Sequence, residues 1–197
     1  MKLEPTRTML LVVDMQKDFY APGFGSDRPG RGHRAMQALP GKINAVTQEL
    51  RLRGVKLVFT KYIFDPETAP NNYKEVEGAN DRPPLCLIGT EGAELGGIDV
   101  QEGDVVIEKA THDCFAGTEL LSLARGSNIE TVVVTGVRTE ICVLATATRA
   151  FAEGFRTIVL SDLVGTRDEK TETQEVMLET FKYFGHVLTS RDLIKQF

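Results

Sequence analysis

The sequence predicts an α/β fold, a three-layer αβα sandwich built around a mostly parallel sheet of roughly six strands. Short apolar runs alternate with helical patterns along nearly the whole chain. The runs are continuously apolar rather than alternating, which is typical of parallel strands covered by helices on both faces. With 197 residues, of which 42% are hydrophobic, the chain is long enough for a sizeable core. We therefore expect a single domain over residues 1–197.

Apolar runs and helical periodicity place the elements in order. Each predicted strand is a short aliphatic run, and each predicted helix repeats apolar residues every three or four positions. Glycine follows closely after the helices that end at residues 53, 125 and 153, as expected for C-terminal caps. The predicted elements are strand 9–13, helix 39–53, strand 55–60, strand 104–108, helix 118–125, strand 131–135, helix 140–153, strand 157–160, helix 169–183 and strand 186–189, after which Ser190 caps a short terminal helix.

Residues 62–102 form an irregular region that is longer than a plain connection between elements. Two interpretations stay open here: a lid, substrate loop or oligomer contact, or a simple excursion at the surface. Within this region, residues 89–97 are rich in glycine but lack the Gly-Lys-Ser/Thr ending and the preceding strand of a phosphate loop. We interpret residues 89–97 as a turn with a brief helix.

Composition excludes several classes of partner. The net charge is −5, and no lysine or arginine cluster forms a stripe, so we expect no nucleic-acid partner. No apolar run approaches the roughly 20 residues that span a membrane, and residues 1–8 lack the apolar core of a signal peptide. The three cysteines are widely spaced and form no Cys-x-x-Cys pair. These features predict a cytoplasmic protein without disulfides.

Asp14, Lys109 and Cys142 each lie where the carboxyl end of a predicted strand is expected. Ligands of open α/β sheets bind at that edge, so we expect the three side chains to converge. Cys142 falls in the predicted first turn of a helix, where free amides and the helix dipole favour a thiolate. Asp14 would accept the thiol proton, while Lys109 would hold the carboxylate in place.

Each of these three residues also has an ordinary structural interpretation. A free cysteine is often buried as a small hydrophobe. An aspartate after a strand is a common turn residue, and a lysine there is often a solvated strand end. Taken one at a time, the residues leave both interpretations open.

Three segments carry a more specific signal. They are LVVDMQKDF at residues 11–19, VIEKATHDCFAGTEL at residues 106–120 and TGVRTEICV at residues 135–143. In order and spacing they resemble the motifs of the isochorismatase-like cysteine hydrolases, and the resemblance covers almost the whole chain. It implies the Rossmann-like fold of that family, a homodimer or homotetramer, and no cofactor.

The resemblance also implies roles for individual residues. Asp14, Lys109 and Cys142 would form a catalytic triad. The peptide bond between Val137 and Arg138 would be cis, and the backbone amides of Arg138 and Cys142 would form an oxyanion hole.

A metal site is not expected. Nicotinamidases are similar to this family but carry an Asp-x-His metal element after the second strand. The corresponding residues 60–67, TKYIFDPE, contain no histidine, and the three histidines of the chain lie far apart in sequence.

Further residues are candidates for substrate binding, each with an alternative role. Arg138 suits a substrate carboxylate, although its side chain would equally point to solvent. A surface turn is an alternative for His112, core packing for Phe19 and capping of the loop for Gln16. Cys86 and Cys114 are interpreted as packing residues. Besides Arg138, the substrate-binding candidates are Gln16, Phe19, Tyr20, Tyr62, His112 and Val137.

The sequence therefore favours a cysteine-dependent hydrolase that cleaves a C–N bond of a small amide or ureido substrate through a thioester. Two alternatives stay open. One is a vinyl-ether hydrolase of isochorismatase type, in which Asp14 donates a proton and Cys142 is a bystander. The other is a non-catalytic protein that keeps the fold.

Overall fold

The computed structural model describes residues 1–25, 33–80 and 83–197. One sheet of six parallel strands runs through them, with every paired neighbour parallel. The strands are β1 (Thr8–Val13), β2 (Lys56–Tyr62), β3 (Val105–Lys109), β4 (Thr131–Val137), β5 (Arg156–Gly165) and β6 (His186–Leu188). Their order across the sheet is β3-β2-β1-β4-β5-β6, which confirms the predicted α/β class.

Helices connect these strands throughout the described residues. Four of them, α3, α5, α6 and α7, lie close to their predicted positions. The α-helices are α1 (Lys17–Tyr20), α2 (Arg34–Gln37), α3 (Leu39–Leu52), α4 (Asn71–Gly78), α5 (Leu120–Gly126), α6 (Leu144–Ala152), α7 (Thr171–Phe181) and α8 (Ser190–Ile194). Single 3₁₀ turns occupy Pro5–Arg7, Glu91–Ala93 and Asp168–Lys170, and a π-helical turn occupies Thr139–Val143.

Helices cover both faces of the sheet, because alternate residues of each strand point to opposite sides. On one face, Leu10 and Val12 of β1 belong to the same core as apolar residues of α3 and α8. On the other face, Met9 and Leu11 belong to a second core with residues of α5, α6 and α7. All six residues of β1 are buried, as expected for a central parallel strand. The three layers that the sequence predicts are therefore present.

The strand order reverses at the middle of the sheet. From β1 the chain moves outward to β2 and β3, returns to β4 on the other side of β1, and then continues outward to β5 and β6. A crevice for ligands forms at such a reversal, outside the carboxyl ends of the strands. Here it lies between the end of β1, at Asp14, and the segment that follows β4.

Most element ends shift by one or two residues from the prediction, and four further differences are larger or concern a cap or a turn. Thr189, not Ser190, caps α8, since its side chain accepts a hydrogen bond from the backbone of Asp192. Strand β5 continues to Gly165, because it pairs with β4 again after a register shift. Helix α4 interrupts the region predicted to be irregular, of which residues 81–82 lie outside the described residues. The turn before α6 is π-helical rather than α-helical.

The brief helix predicted within residues 89–97 corresponds to the 3₁₀ turn Glu91–Ala93. Among the described residues, no helix has both the length and the apolar character that crossing a bilayer requires.

Candidate active site

Asp14 and Lys109 form a buried ion pair at the carboxyl edge of the sheet. Nζ of Lys109 lies 2.8 Å from Oδ2 of Asp14, and both side chains are completely shielded from solvent. Lys109 is therefore not the solvated strand end that was one of its two interpretations. Because β2 lies between β1 and β3, this pair reaches across a strand to join the ends of its two neighbours.

The backbone at Asp14 explains how its carboxylate reaches the site. Asp14 has a φ of 49°, in the left-handed region that aspartate tolerates better than most residues. Its N–H donates to Oγ1 of Thr60 (3.2 Å), and that hydroxyl donates back to Oδ1 of Asp14 (2.6 Å). No donor in the described part of the chain is aligned for a hydrogen bond to Oδ2, although the Lys109 ammonium is close. The second carboxylate oxygen is therefore held by the ion pair with Lys109.

Close packing brings β4 up to the same point. Gly136 has a φ of 110°, and a Cβ atom there would overlap the carbonyl oxygen of Val13, the residue before Asp14. Only glycine combines this conformation with so close an approach. Gly136 therefore allows the turn after β4 to pass beside the end of β1.

Lys109 is held by the loop that follows its own strand. Its Nζ donates to the carbonyls of Thr111 (2.8 Å) and His112 (3.3 Å) and lies 5.4 Å from the ring centroid of Tyr62. Burial alone would lower the pKa of Lys109, but the negative charge of Asp14 beside it has the opposite effect, and the pKa is raised overall. The lysine therefore stays charged.

Cys142 lies on the π-helical turn Thr139–Val143 and is 5% exposed. Burial raises the pKa of its thiol well above the ordinary value, opposed by the charge of Lys109 and reinforced by Asp14. The free amides and helix dipole that the sequence suggests as stabilising a thiolate are therefore outweighed by burial in the resting protein. The desolvation penalty outweighs the charge effects, so the thiol needs a base to lose its proton.

The turn around Cys142 has an unusual backbone. The peptide bond between Val137 and Arg138 is cis. The carbonyl of Arg138 accepts hydrogen bonds from the N–H groups of Ile141 (3.1 Å) and Val143 (3.2 Å), which closes the turn. This arrangement brings the backbone of Arg138 close to that of Cys142.

His112 lies beside Cys142, although a surface turn was one of the two interpretations given for it. Its Nδ1 lies 3.7 Å from Sγ of Cys142, and its ring is 5.9 Å from Tyr62 and 5.0 Å from Tyr73, measured between centroids. Burial of the ring, followed by the nearby charge of Lys109, lowers the pKa of His112. The imidazole is therefore neutral at physiological pH, even though the residue as a whole is largely exposed.

A small cavity of about 50 Å³ opens beside Cys142. Five of its lining residues were singled out in the sequence: Phe19, Tyr62, His112, Arg138 and Cys142 itself. Three others were not, because no motif marks the region from which Glu77 and Leu85 come, and Ile141 is an ordinary apolar residue. The described lining is Phe19, Tyr62, Glu77, Leu85, His112, Arg138, Ile141 and Cys142.

Gln16 and Tyr20 are not among the residues that line this cavity. The Gln16 amide donates to the carbonyls of Tyr62 (2.8 Å) and Ala93 (2.7 Å), and its oxygen accepts from the N–H of Tyr62 (2.8 Å). The Tyr20 hydroxyl donates to the carbonyl of Gly96, and burial raises its pKa to about 12. Both side chains hold loops together in the structure, and their contact with substrate stays a prediction.

Val137 is also absent from the described lining. It is fully buried at the end of β4, directly before the cis bond. Its side chain belongs to a hydrophobic core rather than to the cavity wall.

A metal site of the nicotinamidase kind does not fit the residues present. After β2, the carboxylate of Asp65 accepts hydrogen bonds from the N–H of Glu67 (2.9 Å) and the hydroxyl of Thr68 (2.8 Å). Across residues 1–25, 33–80 and 83–197, no group of three His, Cys, Asp or Glu side chains is arranged to hold a metal ion.

The chain is similar to proteins of known name and structure. It is 25% identical to the ureidoacrylate amidohydrolase RutB of Pseudomonas syringae pv. syringae, over 100% of this chain and 86% of that protein. A solved cysteine hydrolase from Pseudomonas syringae pv. phaseolicola superimposes with a TM-score of 0.86 at 22% identity, covering 100% of this chain and 94% of the other.

A further solved structure shares more of the sequence. The pyrazinamidase of Pyrococcus horikoshii, solved in complex with zinc, is 31% identical, with a TM-score of 0.78 over 93% of this chain and 99% of that one. The family model described as the isochorismatase domain matches residues 8–192. The chain belongs to the isochorismatase family.

Proposed function

We propose that this protein is a cysteine-dependent amidohydrolase that cleaves a C–N bond of a small amide or ureido substrate. The observation that carries the proposal is the buried Asp14–Lys109 pair, whose two charges both act on the thiol of Cys142. A relative named as a ureidoacrylate amidohydrolase supports the same class of substrate. The small volume of the cavity fits a substrate of few atoms.

In the proposed reaction, Asp14 first removes the proton of Cys142. The raised pKa of the thiol makes this base necessary, and the ionised carboxylate of Asp14, beside the charged Lys109, is suited to accept the proton. The thiolate attacks the substrate carbonyl, and the backbone amides of Arg138 and Cys142 hold the oxyanion. Asp14 then gives its proton to the departing ammonia or amine, which leaves a thioester on Cys142.

The second half of the reaction returns the enzyme to its starting state. Asp14 takes a proton from a water molecule, and the resulting hydroxide attacks the thioester carbonyl. The thiolate leaves and recovers its proton from Asp14. Lys109 keeps its charge throughout and stabilises the carboxylate between proton transfers.

An ammonia-release screen would identify the substrate. Purified protein is incubated with ureido acids, biuret, maleamate and simple aliphatic amides, and ammonia is measured. Release from one of these compounds is expected, and turnover of isochorismate alone would favour the vinyl-ether alternative instead.

Replacement of the nucleophile tests the mechanism. Cys142→Ala is expected to lower kcat by about 10⁴-fold or more, because no covalent intermediate can then form. Mass spectrometry of wild-type protein quenched during turnover should find the acyl group on Cys142. Cys86→Ala removes another buried thiol and should retain activity. Full activity of Cys142→Ala would exclude covalent catalysis by this residue.

Two further properties are proposed with this function. We infer a cytoplasmic location from the free cysteines, all three of which are unpaired in the structure. We also infer a homodimer or homotetramer, which light scattering of the purified protein would establish.

A further inference from the structure

A chain of buried hydroxyl and thiol groups leads to the carboxylate of Asp14. Oγ1 of Thr146 donates to Sγ of Cys114 (3.1 Å), and that thiol donates to Oγ1 of Thr60 (3.6 Å). The Thr60 hydroxyl in turn donates to Oδ1 of Asp14 (2.6 Å). All four residues have no exposed surface, so water does not compete for these contacts.

Backbone groups fix the direction of this chain. The N–H of Cys114 donates to Oγ1 of Thr146 (3.2 Å), and the N–H of Asp14 donates to Oγ1 of Thr60 (3.2 Å). Each hydroxyl therefore accepts from a backbone N–H and has its single hydrogen left to donate onward. All the hydrogens point toward the carboxylate, an arrangement in which successive hydrogen bonds polarise and strengthen one another.

This hydrogen-bond chain runs from the helix that follows the proposed nucleophile to the proposed base. Thr146 lies in α6, four residues after Cys142, and therefore on the same side of the helical segment one turn later. Cys114 belongs to the segment after β3, Thr60 to β2 and Asp14 to the end of β1. Four separate parts of the fold are thus joined, and three of the four side chains, Thr146, Cys114 and Thr60, take part in no step of the proposed reaction.

We propose that Thr60, Cys114 and Thr146 act together to orient Asp14 for proton transfer, with Thr60 as the main positioning residue. This inference rests on the proposed function. Thr60 donates to Oδ1 and Lys109 forms the ion pair with Oδ2, so the carboxylate is fixed at both oxygens, and we take Oδ2 as the oxygen that exchanges a proton with Cys142. No proton travels along the chain: it moves from Sγ of Cys142 to Oδ2 of Asp14, and from there to the leaving nitrogen.

Replacement of Thr60 tests whether its hydroxyl orients the Asp14 carboxylate without contributing to substrate binding. Thr60→Val keeps the shape but removes the hydroxyl, and kcat is expected to fall about tenfold to a hundredfold, the value of a hydrogen bond to a charged group. KM should stay within about twofold, since Thr60 is not among the described cavity lining. Thr60→Ser restores the donor and should recover most of kcat.

Replacement of Cys114 or Thr146 should lower kcat by less than replacement of Thr60. Cys114→Ala and Thr146→Val interrupt the chain farther from Asp14, so each should lower kcat less than Thr60→Val does. Cys114→Ser keeps a hydrogen donor and should be more active than Cys114→Ala. The matched control is Thr157→Val, which removes another buried strand hydroxyl that donates to a backbone carbonyl (3.2 Å). This control should leave kcat unchanged.

The outcomes distinguish this inference from the proposed function. If the wild-type protein releases no ammonia from any amide, the proposed function fails. The hydrogen bonds that lead to Asp14 are then tested by thermal unfolding. Thr60→Val should lower the Tm less in an Asp14→Asn background than in the wild-type protein. Equal kcat for Thr60→Val and Thr157→Val would overturn the inference. Equal loss in Thr60→Ser and Thr60→Val would do the same, since packing of the methyl group would then be the cause.

Discussion

Cys142 shows how burial can reverse an expectation drawn from local sequence. A cysteine after a strand and near a helix start is expected to ionise easily, because amides and the helix dipole stabilise the thiolate. The structure places the thiol on a π-helical turn with almost no exposure, and its pKa is raised. Desolvation depends on the packing of distant segments, which one sequence does not specify. The base Asp14 consequently has a larger part in the mechanism than the motif alone indicates.

Gly136 offers a stability test at the scale of a single residue. Gly136→Ala would force a side chain into a left-handed conformation and against the carbonyl of Val13. We expect a loss of about 3 kcal/mol or more in the free energy of unfolding, measured by urea denaturation. Turnover should fall as well, because the overlap lies next to Asp14.

The control for this prediction is Gly41→Ala. Gly41 lies in α3 with no atom within 4 Å of the added Cβ. Alanine should stabilise the helix there by up to about 1 kcal/mol. Equal unfolding midpoints for the two variants would contradict the close approach of β4 to β1.

At the scale of elements, strands and long helices were the most predictable. The continuous apolar runs of β1 and β4 predict strands buried on both faces, and the amphipathic pattern of α3 predicts a helix with one buried face. The structure confirms all three elements. Helix α4 was not predicted, since none of its residues is buried and no apolar periodicity results. Glu77 and Leu85 were missed for a related reason, because they reach the cavity from a region without strong local signals.

Asp18 ties several of these irregular segments together. Its Oδ1 accepts from the N–H of Gly25 (2.9 Å) and its Oδ2 from the N–H of Cys86 (2.7 Å). A Cβ atom at Gly92 would overlap the same carboxylate, so a third segment packs against it. Phe19, next to Asp18 in sequence, and Leu85, next to Cys86, both line the cavity.

Asp18→Asn tests whether this carboxylate shapes the cavity. The amide keeps only one acceptor oxygen, so one buried N–H loses its partner at a cost of about 1–3 kcal/mol in stability. KM for the amide substrate should rise several-fold as the cavity wall loosens.

The matched control is Asp162→Asn, because Asp162 is not among the residues that line the described cavity. Asp162 accepts hydrogen bonds from the N–H (2.7 Å) and hydroxyl (2.6 Å) of Ser190 at the start of α8. This variant should lose a similar stability, measured by thermal unfolding, while KM stays the same. If KM changes equally in both variants, Asp18 has no specific effect on the cavity.

At the scale of the whole molecule, the ion pair between Asp14 and Lys109 links the folding of three strands to the chemistry. Lys109→Met leaves an uncompensated buried carboxylate and should lower the free energy of unfolding by about 3–5 kcal/mol. In the double variant Asp14→Asn/Lys109→Met no charge is buried, and much of that loss should be recovered. Chemical denaturation of the three variants measures both effects. A double variant no more stable than Lys109→Met would contradict this account.

The architecture was predictable because its signals are redundant, whereas the detail of the site was not. Many separate apolar runs specify a parallel sheet, and the ends of β1, β3 and β4 necessarily meet at one edge. The chain Thr146–Cys114–Thr60 gives no such signal, since its members are ordinary buried residues whose contacts arise only in the folded protein. The single domain over residues 1–197 stays a prediction.

The position of β3 as an edge strand of the sheet has a consequence for heat inactivation. Asp14 and Cys142 follow the two central strands, while Lys109 ends a strand that has a neighbour on one side only. Edge strands unfold locally more readily than central strands, at a free energy below that of global unfolding. Warming would then detach the ammonium from the carboxylate while most of the architecture persists, so that the protein would become inactive before it melts.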